Sequence, residues 1–141
     1  MKPITVTATI SAEVTSVWTY YTQPEHITQW NFASPEWCCP SASNDLTVGG
    51  KYVARMEAKD KSFGFDFEAI YTQVEPERKL AYTMGTKIDE GRKAIVEFKP
   101  IDNQTEVTII FDPESENPID MQRDGWQAIL NNFKAHCENQ S

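Results

Sequence analysis

The chain's 141 residues suit one domain (1–141) and are enough to bury a core without disulfides or metals. A net charge of −8 repels phosphate backbones and anionic lipid heads, and the 13 basic residues form no stripe, so nucleic acid is not an expected partner. No apolar run is long enough to span a membrane, and Met1-Lys2-Pro3-Ile4 opens no secretory signal, which together point to a cytoplasmic protein.

The first element is a strand. Ile4, Val6, Ala8 and Ile10 alternate with Thr5, Thr7 and Thr9, a period of two rich in β-branched residues. Ser11 stands where a helix cap belongs, and Val14, Val17, Trp18 and Tyr21 follow at helical spacing. Pro24 can open a second short helix that ends near Trp30. The pattern then breaks from Asn31 to Leu46, which reads as a long, aromatic-rich loop of the kind that forms lids or binding loops.

Gly49-Gly50 opens a strand through Ala58, with Tyr52, Ala54 and Met56 opposite Val53, Arg55 and Glu57. Lys59-Asp60-Lys61 reads as a hairpin turn. Next comes the clearest alternation, with Phe63, Phe65 and Phe67 on one face and Gly64, Asp66 and Glu68 on the other. This strand should run to Val74 before Pro76 breaks it. Leu80, Tyr82 and Met84 mark another strand, and Asp89-Glu90-Gly91 a turn. Ala94, Val96 and Phe98 form the next strand, and Asp102-Asn103-Gln104 turns the chain into Val107, Ile109 and Phe111. Five consecutive strands with short turns imply an antiparallel meander.

Asn117-Pro118 reads as a cap with proline at the first helical position, and the last helix should run to about Glu138. Its apolar stripe is Met121 or Gln122, then Trp126, Ile129, Leu130, Phe133 and Cys137. Gly125 is a weak helix former at mid-helix, and a close approach to the sheet would explain it. Helices segregated from an antiparallel sheet of about six strands make the fold class α+β.

Several stretches are similar to one known family. They are Val17-Trp18 with Pro24-Glu25 and Trp30, then Trp37-Cys38 before Pro40, and Asn44-Asp45-Leu46 with Val48-Gly49-Gly50. Arg55-Met56-Glu57-Ala58, Phe63-Gly64-Phe65-Asp66-Phe67 and Glu75-Pro76 follow. Phe111-Asp112-Pro113-Glu114 and Met121-Gln122-Arg123 with Gly125 to Phe133 complete the set. In this the chain resembles the family named for the activator of heat-shock protein 90 ATPase, within the START-like (SRPBCC) superfamily. The resemblance implies a helix-grip fold, a curved antiparallel sheet wrapped around a long C-terminal helix, with two short helices after the first strand. It also implies a ligand cavity between sheet and helix, but not the ligand. The eukaryotic co-chaperones of the family carry a separate N-terminal domain that this chain has no room for, which argues against a direct chaperone partner.

On that fold, Phe63, Phe65, Phe67, Tyr82, Met84, Trp126 and Leu130 either line an apolar pocket or pack as ordinary core. Trp30, Phe32 and Trp37 either gate its mouth or fasten the long loop. Cys38, Cys39 and Cys137 read as reduced thiols, since adjacent cysteines are poor disulfide partners. A metal site would have only these cysteines with His26 and His136, and no CxxC or HxxxH spacing, so no metal is expected. His26 reads as a surface residue and His136 as a surface or interface residue. Nucleotide, nicotinamide and zinc-protease motifs are absent, so no cofactor is expected.

The expected function is therefore binding of a small hydrophobic or amphipathic molecule by a monomer or homodimer. The alternative is a cyclase- or hydrolase-type enzyme acting in the same cavity, with His26 or Tyr82 as its polar group. A chaperone-associated module would instead need an exposed patch.

Overall fold

A computed structural model describes residues 2–85 and 91–140. In chain order the elements are β1 (Ile4–Ile10), α1 (Val14–Thr22), α2 (Pro24–Trp30), β2 (Trp37–Asn44) and β3 (Lys51–Ala58). They continue as β4 (Gly64–Glu75), β5 (Lys79–Met84), β6 (Lys93–Ile101), β7 (Gln104–Phe111) and α3 (Ile119–Glu138). The seven strands form one curved antiparallel sheet in the order β1-β7-β6-β5-β4-β3-β2. The architecture is the α+β helix grip expected from the sequence.

The register explains the core. Val6 pairs with Ile109, Val96 with Ile109 on the other side, and Leu80 with Val96, so the apolar rows of four strands share one face. Each such side chain, fully buried, stabilises the fold by about 1.5–3 kcal/mol. Helix α3 lays Leu130, Phe133 and Cys137 onto this face. Phe133, 0% exposed, meets Tyr21 and Trp30 edge-on at centroid distances of 5.1 and 4.8 Å. Trp126 stacks flat on Phe111 at 3.9 Å, fixing the middle of α3 over β7.

Four sequence expectations are corrected. The stretch from Asn31 to Leu46 is not all loop, because its second half is β2, which brings the sheet to seven strands. β2 is an edge strand and its register shifts between Cys38 and Ser41. That irregular edge tolerates Pro40, which has no N–H to give a ladder. Second, α1 is capped by Glu13 rather than Ser11, with no side-chain capping bond. The Ser11 N–H instead donates to Glu138 Oε2 at 2.9 Å, tying the end of β1 to the end of α3.

Third, α3 begins one residue late. Pro118 takes the cap position, and the Asn117 side chain donates to Glu114 at 2.8 Å. Fourth, Gly125 makes no close approach, since a Cβ there would meet nothing within 4 Å. The tight glycines lie elsewhere, among them Gly91, where a Cβ would lie 1.9 Å from the Met84 carbonyl oxygen, and Gly50, where it would lie 2.2 Å from that of Asp45, next to Gly49 at φ +86°. The Asp89-Glu90 part of the expected turn lies outside the described residues.

Candidate ligand cavity

A cavity of about 450 Å³ separates α3 from β3, β4 and β5. Its size falls in the range of small-molecule sites. The helical wall is Gln122, Trp126, Ile129, Leu130 and Phe133 of α3, completed by Tyr21 of α1 and Trp30 of α2. The sheet wall is Tyr52 and Met56 of β3, Phe65, Phe67 and Tyr71 of β4, Leu80 and Tyr82 of β5, and Ile109 of β7. These sheet residues share a face because they alternate along their strands. Cross-strand pairing sets Met56 beside Phe65 and Tyr71 beside Tyr82.

Six of the residues singled out from the sequence line this space: Trp30, Phe65, Phe67, Tyr82, Trp126 and Leu130. Four lie elsewhere. Phe63 precedes β4 and is 60% exposed, packed edge-on against Trp37 at 5.9 Å. Trp37 lies on β2, away from the cavity lining. Phe32 is half-buried, and its carbonyl accepts a 2.6 Å bond from the Asn132 amide of α3, so it fastens the segment after α2 to the helix. Met84 is buried at the end of β5 outside the lining. The charges that alternate with the phenylalanines point the other way. Arg55 sits on the outer face between Glu57 at 3.0 Å and Asp66 at 3.3 Å.

Of the polar part of the cavity, sequence reasoning singled out Tyr82 alone. Tyr21, Tyr52, Tyr71 and Tyr82 all reach it, with Asn31 beside them. Burial raises the pKa of all four phenols above the ordinary value, and neighbouring phenols add to the effect for Tyr21, Tyr52 and Tyr82. They are therefore neutral hydrogen-bond donors. The Tyr71 hydroxyl donates to Asn44 Oδ1 at 2.7 Å, and Tyr52 Oη accepts from Asn31 Nδ2 at 3.1 Å. A second polar group comprises Arg92, Glu114 and Gln122. Gln122 braces the Glu114 backbone, accepting its N–H at 2.9 Å and donating to its carbonyl at 3.1 Å. The Asn117 N–H, 2.6 Å away, is the main cause holding the Glu114 carboxyl below the usual range, and the Arg92 charge contributes. Arg92 itself donates to the Asp112 carbonyl at 3.0 Å.

The thiols and histidines serve packing. Burial pushes the Cys39 thiol up to about 11 and that of Cys137 to about 12, far from thiolate chemistry. Neither histidine lines the cavity. His136, expected at the surface or an interface, is 9% exposed within the chain, and its Nε2 lies 2.9 Å from His26 Nδ1. This hydrogen bond joins α2 to the end of α3, with the Tyr20 ring against both imidazoles. Among the described residues no group of three or more His, Cys, Asp or Glu could hold a metal ion, and no helix is long and apolar enough to cross a membrane.

Residues 11–138 match the family model described as Activator of Hsp90 ATPase homolog 1-like protein. The solution structure of an AHSA1-like protein from Aeromonas hydrophila is 36% identical, covers 97% of this chain and 94% of its own, and superposes with a TM-score of 0.86. A solved protein from Cytophaga hutchinsonii is 44% identical over 98% of this chain and 93% of its own, with a TM-score of 0.81. A Nitrosomonas europaea protein, 17% identical over 99% of this chain and 96% of its own, shares the fold at a TM-score of 0.83. No curated protein matches the sequence. The chain belongs to the Activator of Hsp90 ATPase homolog 1-like family.

Proposed function

We propose that this chain, as a member of that family, is a cytoplasmic single-domain carrier or receptor. It would bind an apolar or amphipathic small molecule between the sheet and α3. The observation that carries this reading is the cavity of about 450 Å³, walled by aromatic side chains from six elements and edged by two small polar groups. A core closed on itself would leave no such space, because protein interiors pack at crystal density. Mostly apolar walls with a few convergent polar groups are the composition of a binding site.

An uncharged apolar fluorophore, N-phenyl-1-naphthylamine, tests the reading. It should bind one per chain with strong fluorescence enhancement and be displaced by the natural occupant. Absence of saturable binding would count against the cavity as a ligand site.

One observation keeps the enzyme reading as a second possibility: Tyr82 is a titratable group facing the cavity with a raised pKa. The direction of the shift suits a phenol that polarises a carbonyl by donating a hydrogen bond, not one that removes a proton. His26, outside the lining, adds nothing to that chemistry.

A further inference from the structure

Three of the four cavity tyrosines have a hydroxyl proton with nothing to receive it. Tyr71 donates to Asn44. Tyr52 Oη only accepts, from Asn31. Neither Tyr21 nor Tyr82 makes a hydroxyl hydrogen bond to any described residue; both side chains are half-buried and line the cavity. Among the described residues the buried side-chain polar atom without a partner is Thr83 Oγ1, so these tyrosine hydroxyls are open to the cavity, where water or an occupant can complete them.

The rings converge from three elements. Tyr21 comes from α1, Tyr52 from β3 and Tyr82 from β5. Phe67 joins two of them, meeting Tyr52 at a centroid distance of 6.0 Å and Tyr82 at 6.5 Å, both edge-on. Tyr21 is held in place by stacking on Trp30 at 5.2 Å. These contacts fix the rings, so the hydroxyls are preorganised donors rather than wandering ones. The nearest charge among them is Arg92, a cation, which belongs to the other polar group with Glu114 and Gln122. The lining also holds the Glu114 carboxylate, which accepts from the Asn117 N–H and side-chain amide.

Three neutral phenols whose protons no described residue receives call for an acceptor on the occupant. We infer that Tyr21, Tyr52 and Tyr82 form a donor pocket for an uncharged oxygen acceptor, a ketone, lactone or amide carbonyl, on a flat, largely apolar molecule held against Phe67 and Trp126. This rests on the binding role proposed above and narrows its ligand class. The aromatic walls take the body of the molecule by stacking and area burial. The phenols select the oxygen, because a site built to hydrogen-bond a group discriminates strongly against an analogue that lacks it. A carboxylate on the occupant would instead be drawn to the Arg92 guanidinium of the lining.

The test uses two probes of nearly equal shape, 9-fluorenone and fluorene, which differ by one carbonyl. Equilibrium dialysis measures the binding of each to the full chain and to its Tyr21→Phe, Tyr52→Phe and Tyr82→Phe variants. Fluorenone affinity should fall by about fivefold to tenfold in at least two variants, in line with one lost hydrogen bond each. Fluorene affinity should stay within about twofold throughout, which also shows that each variant keeps an intact cavity. Equal losses for both probes, or no loss for fluorenone, would overturn the donor pocket while leaving the binding role standing. Failure of both probes to bind the unaltered chain would overturn the binding role and the donor pocket together.

Discussion

Phe63 and Phe67 belong to one alternating row of the same segment, yet they end in opposite settings. Phe63 is 60% exposed and forms, with Trp37 and the 43% exposed Phe65, an aromatic cluster open to solvent. Four residues on, Phe67 lies inside, between Tyr52 and Tyr82, and Tyr71 beyond it is 3% exposed. The period of two assigns all of them to one face of the sheet. What covers that face is a separate matter. Tyr71 is hydrogen-bonded to Asn44 and buried, whereas Phe63 precedes β4 at a hairpin that reaches past the cavity. A strand pattern therefore tells which way a side chain points but not whether anything lies above it.

Substitution should separate the two clusters. The largest effect is expected at Tyr71→Ala, with a loss of about 3–5 kcal/mol by urea unfolding as a large buried ring is removed. Phe63→Ala should shift stability by less than about 0.5 kcal/mol, since little burial is lost. Comparable losses at the two positions would erase the distinction.

Within the inner cluster, hydroxyl removal sharpens the comparison. Tyr71→Phe should cost about 1 kcal/mol, because the bond to Asn44 is lost and the Asn44 oxygen is left without that donor. Tyr82→Phe should be close to neutral for stability, because no described residue receives its hydroxyl proton. Urea midpoints for the pair read this directly.

The helical wall offers a smaller effect. Gly125→Ala should raise stability by about 0.5–1 kcal/mol, since mid-helix glycine is costly and the added methyl meets open space. A loss instead would mean that the room beside Gly125 is occupied in the working protein.

The last prediction concerns the histidine link between α2 and α3. Burial first, and the neighbouring His26 second, hold the His136 pKa below its usual value. The folded state thus resists a proton that the unfolded chain accepts. The contribution is present above the unfolded pKa of about 6.5 and is lost as pH falls toward the lowered folded value. The urea midpoint should drop modestly between pH 7.5 and 5.5, and His136→Asn should flatten that slope. The lowered carboxylates Asp60, Glu114 and Glu138 titrate in a more acidic window and leave this one clear.

Much of the fold was legible in the sequence because its strands alternate cleanly and α3 carries a continuous stripe. β2 was not, because WCCPSASN is half polar, contains proline, and bulges at the sheet edge, so it has no sustained period. Phe67, Tyr82, Trp126 and Leu130 were found from their rows. Tyr52 and Tyr71 share those same rows, Tyr52 with Met56 and Tyr71 with Phe67, and following each row to its end would have found them. Tyr21 was read as an ordinary member of a helical face. Arg92 and Glu114 lie between elements, where no periodicity speaks, and the bond between His26 and His136 spans 110 residues. Their neighbours are set only by the assembled fold.

Native mass spectrometry of the protein purified from its own host, with identification of any released small molecule, tests the central claim most directly. The account predicts a stoichiometric, largely apolar companion bearing an uncharged oxygen acceptor. A clean mass of the bare chain, together with no saturable binding of N-phenyl-1-naphthylamine, would contradict it.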